Sequence, residues 1–443
     1  MFQNQSIYNH GGFRDIGYKE EKMFRKNIRL ISAIFFCIIT MLFDNVCVAK
    51  QQTDIYKSLA LFSDVFDCVK NEYVTSPNTN KLIENAINGM LTSLDPHSSY
   101  LNADEAKEMN NLTKGEFAGI GIVVTTQDKL IKVVSPMLGT PAAKAGVLAG
   151  DLITKIDGKD TSANKLDVNV KHMRGKRGTL VTLTIERKGV AKPFDIKVRR
   201  DIIKIEDLRF NTNNNVGYIR LLEFTGHTYD DLAKAIASIK AKIPNDKLKG
   251  YILDLRLNPG GLLNQAVKVS DAFLDKGMIV STKGRQPRSI LRFDAKKGDL
   301  TDGKPLIVLI NGGTASAAEI VAGALQDNKR AKIVGSRSFG KGSVQTIIPL
   351  GENGALRLTT ALYYTPSGVS IQGHGIIPDY KISQPLPDKY KGLNLNIGES
   401  ELKGHIKGSI EDKKGSGSSA YVPLDAKEDQ QLKAAYNLFD KKT

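Results

Sequence analysis

The chain has 443 residues, 41% of them apolar and 25% charged, which is an ordinary globular balance and enough length for two or three domains around a large core. Its formal net charge is +16. A basic excess suits nucleic acid or acidic membranes, but the lysines are scattered, with no block of five or more and no aromatic-basic stripe. Nucleic-acid binding is therefore set aside, and a general surface charge is the reading.

The N-terminus reads as an export leader. Lys22, Arg25, Lys26 and Arg29 precede a largely apolar run from Leu30 to Phe43, and Cys47-Val48-Ala49 offers small residues for cleavage after Ala49. The run is short for a transmembrane helix, which needs ~20 residues. An uncleaved leader would nonetheless leave the chain associated with the inner membrane. The first 22 residues are polar, so translation from Met1 and from Met23 both stay open. Cleavage would remove Cys37 and Cys47 and lower the charge to +14, leaving Cys68 as the single thiol. Cys68 lies in the pattern Phe62-Val65-Phe66-Val69 and is expected to be buried.

Residues 50–112 read as helical, with apolar positions at 3–4 spacing through Leu59, Phe62, Val65, Phe66 and Val69. Further helices are predicted over Leu82–Leu94 and Ala103–Asn110, separated by the turn Ser93-Leu-Asp-Pro-His97-Ser-Ser-Tyr100. From 115 to 200 the chain turns to short β-runs, at Ile120–Thr125, Leu130–Val134, Leu180–Glu186 and Phe194–Val198. With a short helix from Pro141 to Gly146, this predicts a small, partly open β-barrel with two helices. Residues 201–385 alternate strand and helix. Strands are predicted at Val216–Leu221, Tyr251–Leu255, Met278–Ser281, Leu306–Ile310, Ala331–Val334 and Leu356–Tyr364, and helices at Tyr229–Ala241, Leu262–Leu274 and Ala317–Asn328. That alternation predicts an α/β core with a mainly parallel sheet. A polar linker, 412–419, and a helix from Ala426 to Phe439 close the chain. The fold class is thus multidomain, α+β and α/β.

The chemistry concentrates in two segments. Asn311-Gly-Gly-Thr-Ala-Ser316-Ala-Ala-Glu319 sets a serine on a glycine-rich turn between a buried strand and a helix. Ser316-x-x-Glu319 is also a capping box, so a helix cap is the plain alternative. A nucleophilic serine needs a base. Lys341 follows 25 residues later, between glycines in Phe339-Gly-Lys-Gly-Ser-Val-Gln345. Buried there, its amine could lose its proton at ordinary pH. The Ala317 N–H at the helix start could stabilise an oxyanion, and Asn258-Pro-Gly260-Gly261 could supply a second donor. Gly335 to Gly342 nearly matches a phosphate loop, but glycine stands at 342 where a hydroxyl is needed and strand follows. His97, His227 and His374 are spread along the chain, and a serine–histidine triad using one of them stays open. No metal-ligand spacing is present, so no metal or cofactor is expected.

Together these motifs resemble the carboxyl-terminal processing (tail-specific) proteases, Ser-Lys endopeptidases of the S41 type. The resemblance covers nearly all of the chain beyond the leader. It implies a leader at 1–49, an N-terminal helical domain at 50–112, a PDZ domain at 113–200, an S41-type peptidase core at 201–385 and a C-terminal linker and helix at 386–443. It implies Ser316 as nucleophile, Lys341 as general base, Gln345 as the lysine's hydrogen-bond partner, and the N–H groups of Ala317 and Gly261 as the oxyanion hole. Gly119-Ile120-Gly121-Ile122 is similar to the PDZ loop that receives a peptide carboxylate. Arg174 matches an arginine thought to couple the PDZ domain to the active site. Asp327 falls where a third member of the relay has been proposed. Eleven residues of helix put it ~16 Å from Ser316, which favours a structural place at the helix end. The implied partners are proteins with apolar C-terminal tails, and the implied location is the periplasm. A homo-oligomer or an adaptor partner stays open, and an inactive PDZ scaffold or chaperone of the envelope is the rival reading.

Overall fold

The computed structural model describes residues 54–137, 139–390, 396, 398–408, 410 and 417–440, without the side chains of residues 167 and 389. The expected leader, the cleavage site expected after Ala49 and most of the polar linker lie outside the described residues. The chain divides into two compact units, up to Ile83 and from Glu84 onward.

In the first unit, helix α1 covers residues 54–72, and α2 (Thr79–Thr92) begins. The apolar stripe of α1 is open: Leu59, Phe62, Val65 and Val69 are all exposed. Cys68 is therefore exposed rather than buried, because the side chains expected to cover it are themselves uncovered.

The second unit starts with β1 (Ser99–Leu101) and α3 (Ala103–Lys114). Asn102 caps α3 reciprocally with Glu105, and Gly115, at φ 76°, ends it in the left-handed conformation that glycine adopts freely. Next come β2 (Glu116–Gly119), β3 (Ile122–Gln127), β4 (Leu130–Pro136), α4 (Pro141–Lys144), β5 (Leu152–Ile156), β6 (Lys159–Asp160), α5 (Leu166–Met173), β7 (Leu180–Glu186), β8 (Phe194–Arg199) and β9 (Asp201–Lys204). Strands pair in the order β3-β4-β5-β7-β8, with β6 on β5 and β2 on β9. Alternate residues of β7, Val181, Leu183 and Ile185, point into a core shared with Ile131, Val133, Ile153 and Val198. Strand β3 is an edge of this sheet, and Ile122 and Val124 on it are only partly buried.

The core follows, with β10 (Leu208–Asn213), β11 (Val216–Leu221), α6 (Thr228–Lys242), β12 (Gly250–Asp254), α7 (Leu263–Asp271), β13 (Met278–Gly284), β14 (Leu291–Asp294), β15 (Leu306–Ile310), α8 (Ala317–Asp327), β16 (Lys332–Gly335), β17 (Ser343–Pro349), β18 (Ala355–Tyr364), β19 (Tyr380–Lys381) and α9 (Gln430–Asp440). Its main sheet runs β10-β11-β12-β15-β16-β19, parallel throughout except for β10. Every residue of β12 and β15 is buried, as expected for strands covered on both faces. Helices α6, α7 and α8 pack on one face. Leu432, Ala435 and Phe439 of α9 pack on the other, against Ile252, Ile307 and Leu309.

The strands beginning near Met278 and Leu356, expected in the parallel sheet, form a second sheet instead. It runs β1-β18-β13-β14, with β17 also on β18, and it is antiparallel throughout. The cause is visible in the residues. Strand β18 mixes apolar and polar side chains that are mostly half-buried, which suits a sheet with one open face. In this sheet residues 99–101 of β1 pair with β18, the strand that also carries β17, which follows Lys341.

Candidate active site

Ser316 stands where β15 gives way to α8, with φ 53° and ψ −116°, a backbone state that costs a non-glycine residue about 1–3 kcal/mol. Neighbouring bonds hold it there. Thr314 Oγ1 donates to the Leu255 carbonyl at 2.9 Å, and the Ala315 N–H donates to the Asn258 carbonyl at 2.9 Å. Asn258 in turn accepts from the Gly260 N–H (2.9 Å) and donates to the Leu221 carbonyl (3.0 Å).

Gly260 and Gly261 lie directly against this turn. A Cβ on Gly260 would sit 2.8 Å from the Ser316 Cβ and 3.0 Å from the Ala317 nitrogen, and φ there is 104°. A Cβ on Gly261 would fall 2.2 Å from the Phe224 carbonyl oxygen. Only glycine permits that approach. The N–H groups of Ala317 and Gly261 have no acceptor among the described residues.

Glu319 is the centre of the site, and the sequence identified it only as half of a capping box. Its carboxylate is fully buried. Oε2 accepts from the N–H of Ser316 (2.8 Å) and of Lys341 (2.9 Å), and Oε1 from the N–H of Gly340 (2.7 Å) and the Ser338 hydroxyl (2.5 Å). One side chain thus fastens the serine turn to the lysine loop. Burial pushes this carboxyl up to about 7, against hydrogen bonds from all four neighbours that favour its charged form.

Lys341 lies in that loop, partly buried. Burial holds its amine below the usual lysine range. Glu399, Glu319 and Asp95 pull it back up, and Arg357 pushes it further down. Among the described residues, neither Ser316 nor Gln345 is hydrogen-bonded to the Lys341 amine. Gln345 instead donates to Ser343 Oγ (3.0 Å) and Thr359 Oγ1 (3.2 Å), next to a bulge between Val344 and Gln345 that re-aims its side chain. Thr359 Oγ1 donates in turn to Asp95 Oδ1 at 3.1 Å.

Asp327 sits at the far end of α8 and accepts from the Ser367 N–H at 2.9 Å, away from Ser316. In the loop between β2 and β3, the carbonyls of Ile120 and Gly121 accept from Ala142 and Met137 (2.9 Å each). The N–H groups of both residues are left without an acceptor among the described residues. Gly119 closes β2 opposite Asp201, and Ile122 opens β3. Arg174 caps α5, pairs with Glu108 of α3 and lies over the Phe117 ring, 5.2 Å from its centroid. Among the described residues it makes no hydrogen bond or ion pair with those around Ser316. Among the described residues, no group of three or more His, Cys, Asp or Glu side chains could hold a metal ion.

Comparison with known proteins gives three matches to families. Residues 215–382 match peptidase family S41, residues 118–198 match a PDZ domain, and residues 44–105 match the N-terminal domain of the activating protease CtpB. The chain is 62% identical over 416 residues to a carboxy-terminal-processing protease of Bartonella bacilliformis, covering 94% of this chain and 96% of that protein. This chain belongs to the carboxy-terminal-processing proteases of peptidase family S41. It is a serine peptidase with a PDZ domain, and it acts on proteins through their C-termini. A probable CtpA-like serine protease of Staphylococcus haemolyticus is 40% identical over 333 residues, covering 74% of this chain and 65% of that one. Among solved structures, a photosystem II D1 C-terminal processing protease is 29% identical, with a TM-score of 0.44 over 74% of this chain and 94% of that one.

The geometry of this processing protease makes Glu319 testable. Glu319→Gln replaces one acceptor oxygen with an NH2 group that faces donors. Its kcat/KM should fall about 100-fold through misplacement of Ser316 and Lys341. A variant that folds and keeps wild-type kcat/KM would show that the strut is dispensable.

Proposed function

We propose that the protein is an exported Ser-Lys endopeptidase that captures the apolar C-terminal tail of a protein and cuts near it. The observation that carries this reading is Ser316 on its strained turn, beside two N–H groups without an acceptor among the described residues and tied through Glu319 to the loop of the partly buried Lys341. A serine in ordinary helix-capping geometry would need neither the strain nor Gly260 packed against its Cβ.

The reaction follows from these groups. The neutral Lys341 amine takes the proton of the Ser316 hydroxyl as Oγ attacks the scissile carbonyl. The oxyanion lies against the N–H groups of Ala317 and Gly261. The lysine gives its proton to the leaving amine, the C–N bond breaks, and an ester to Ser316 remains. Water, activated by the same lysine, releases the product acid and restores the serine. Since the amine and Oγ are not hydrogen-bonded in the described arrangement, the dyad contact is made when substrate engages. Gln345 then has to leave Ser343 and Thr359 to reach the amine.

Tail capture is assigned to the loop 119–122, whose free N–H groups at Ile120 and Gly121 suit a terminal carboxylate. The open edge of β3 would pair with the tail's backbone, and Ile122 and Val124, with Leu166 and Val170 of α5, offer apolar cover for its side chains. Arg174, bonded to α3, would carry PDZ movement to the helical segment rather than touch the reacting groups. The basic cluster, the apolar run and Cys47-Val48-Ala49 support export to the periplasm.

Ser316→Ala and Lys341→Ala should each lower kcat/KM about 10³-fold or more on a peptide ending in free apolar residues. Amidating that C-terminus should weaken cleavage in the wild type. Because the base must be neutral, wild-type activity should rise with pH through the lowered lysine pKa and fall below it. Activity that survives either substitution, or that is flat into acid, would refute the dyad. N-terminal sequencing of the protein from the envelope should read from Lys50; a start at Met1 or Met23 would refute cleavage.

A further inference from the structure

Glu399 is a second fully buried carboxylate beside the lysine loop, and no step above uses it. It comes from the C-terminal segment, 302 residues from His97, with which it is in contact. His97 Nε2 approaches Glu399 Oε1 at 2.8 Å and Oε2 at 3.0 Å. Gln372 Nε2 donates to Glu399 Oε1 at 3.0 Å and to the Ile406 carbonyl at 2.9 Å, while Gln372 Oε1 accepts the Gly342 N–H at 2.9 Å. The Glu399 N–H donates to the Phe339 carbonyl at 3.0 Å. Glu399 and the Gln372 bonded to it thus hold the lysine loop on both sides of Lys341, Glu399 at Phe339 and Gln372 at Gly342.

We propose that Glu399 is a positioning residue for the Lys341 base, held by His97 and Gln372 and acting on the amine through its charge. This rests on Lys341 being the base. A buried carboxylate costs several kcal/mol unless it is compensated. Cations that face this carboxylate are His97, which forms an ion pair with it at 2.8 Å when protonated, and the Lys341 amine. The groups that face Lys341 are Glu399, Arg357, Glu319 and Asp95. Glu319 is occupied by four donors. Asp95 Oδ1 accepts the N–H groups of His97 and Ser98 and the Thr359 hydroxyl, and Oδ2 accepts the Ser98 hydroxyl. Arg357 is turned to the His97 carbonyl, where its Nε donates at 3.0 Å. Glu399 is therefore the carboxylate placed to balance the lysine. It keeps the amine a stronger base than burial alone would leave it, and its link through Gln372 fixes the backbone at Gly342.

The sign is definite. A carboxylate favours the protonated amine, so removing its charge makes the lysine easier to deprotonate. The test is the pH profile of kcat/KM for the full chain on a peptide with a free apolar C-terminus, with folding followed by thermal unfolding. In Glu399→Gln the acid limb should move to lower pH, so that the ratio of variant to wild-type kcat/KM rises about tenfold from the alkaline to the acid end. The exchange Glu399→Gln with Gln372→Glu keeps one carboxylate in the network and should return the limb toward the wild-type position. A uniform loss of rate with an unmoved limb in Glu399→Gln would make Glu399 structural only and overturn the proposal. If the single variant does not fold, the exchange carries the test: a limb near the wild-type position supports the proposal, and a displaced limb overturns it. Should Lys341→Ala keep its activity, the reading of the base fails instead, whatever Glu399 does.

Discussion

The site depends on one buried carboxylate. Glu319 accepts from four donors belonging to two different elements, the start of α8 and the loop after β16. Without it, the loop at 338–341 would leave three backbone or hydroxyl donors unsatisfied inside the protein, each costing roughly 1–3 kcal/mol. The same bonds that make the interior self-consistent therefore fix the distance between the nucleophile turn and the lysine loop. A helix cap has become a cross-brace.

The main sheet explains why the brace can work. Pro259–Gly261 follows β12, Ser316 follows β15, and Lys341 follows β16, three adjacent parallel strands. Their carboxyl ends lie side by side, at the edge of an open parallel sheet where sites usually form. The glycines at 260 and 261 let the first strand end approach the second more closely than any side chain would allow. Asp95, just before β1, and Glu399, from the C-terminal segment, add groups from distant parts of the sequence around the lysine.

Much of this was legible in the sequence. The boundaries of β7, β11 and β15 match the expected Leu180–Glu186, Val216–Leu221 and Leu306–Ile310, because uninterrupted or strictly alternating apolar runs carry their own signal. Ser316 and Lys341 stood out through their glycines. What local pattern does not encode is pairing between distant residues. The separate sheet of β13 and β18 depends on which half-buried strands meet. The contact of His97 with Glu399 joins residues 302 positions apart. The family resemblance implies Gln345 as the lysine's partner, yet a bulge and two hydroxyls within reach claim its amide. Cys68 was read as buried from a stripe that stays open.

The central claim is that Ser316 is a nucleophile activated by the amine in the braced loop. The most direct measurement is covalent labelling of the full chain by a serine-directed fluorophosphonate, with the modified residue located by peptide mass spectrometry and the rate followed against pH. The account predicts a single adduct on Ser316, formed faster as pH rises through the lowered lysine pKa, and none in Lys341→Ala. Labelling of another serine, or of Ser316 at an equal rate in Lys341→Ala, would contradict it.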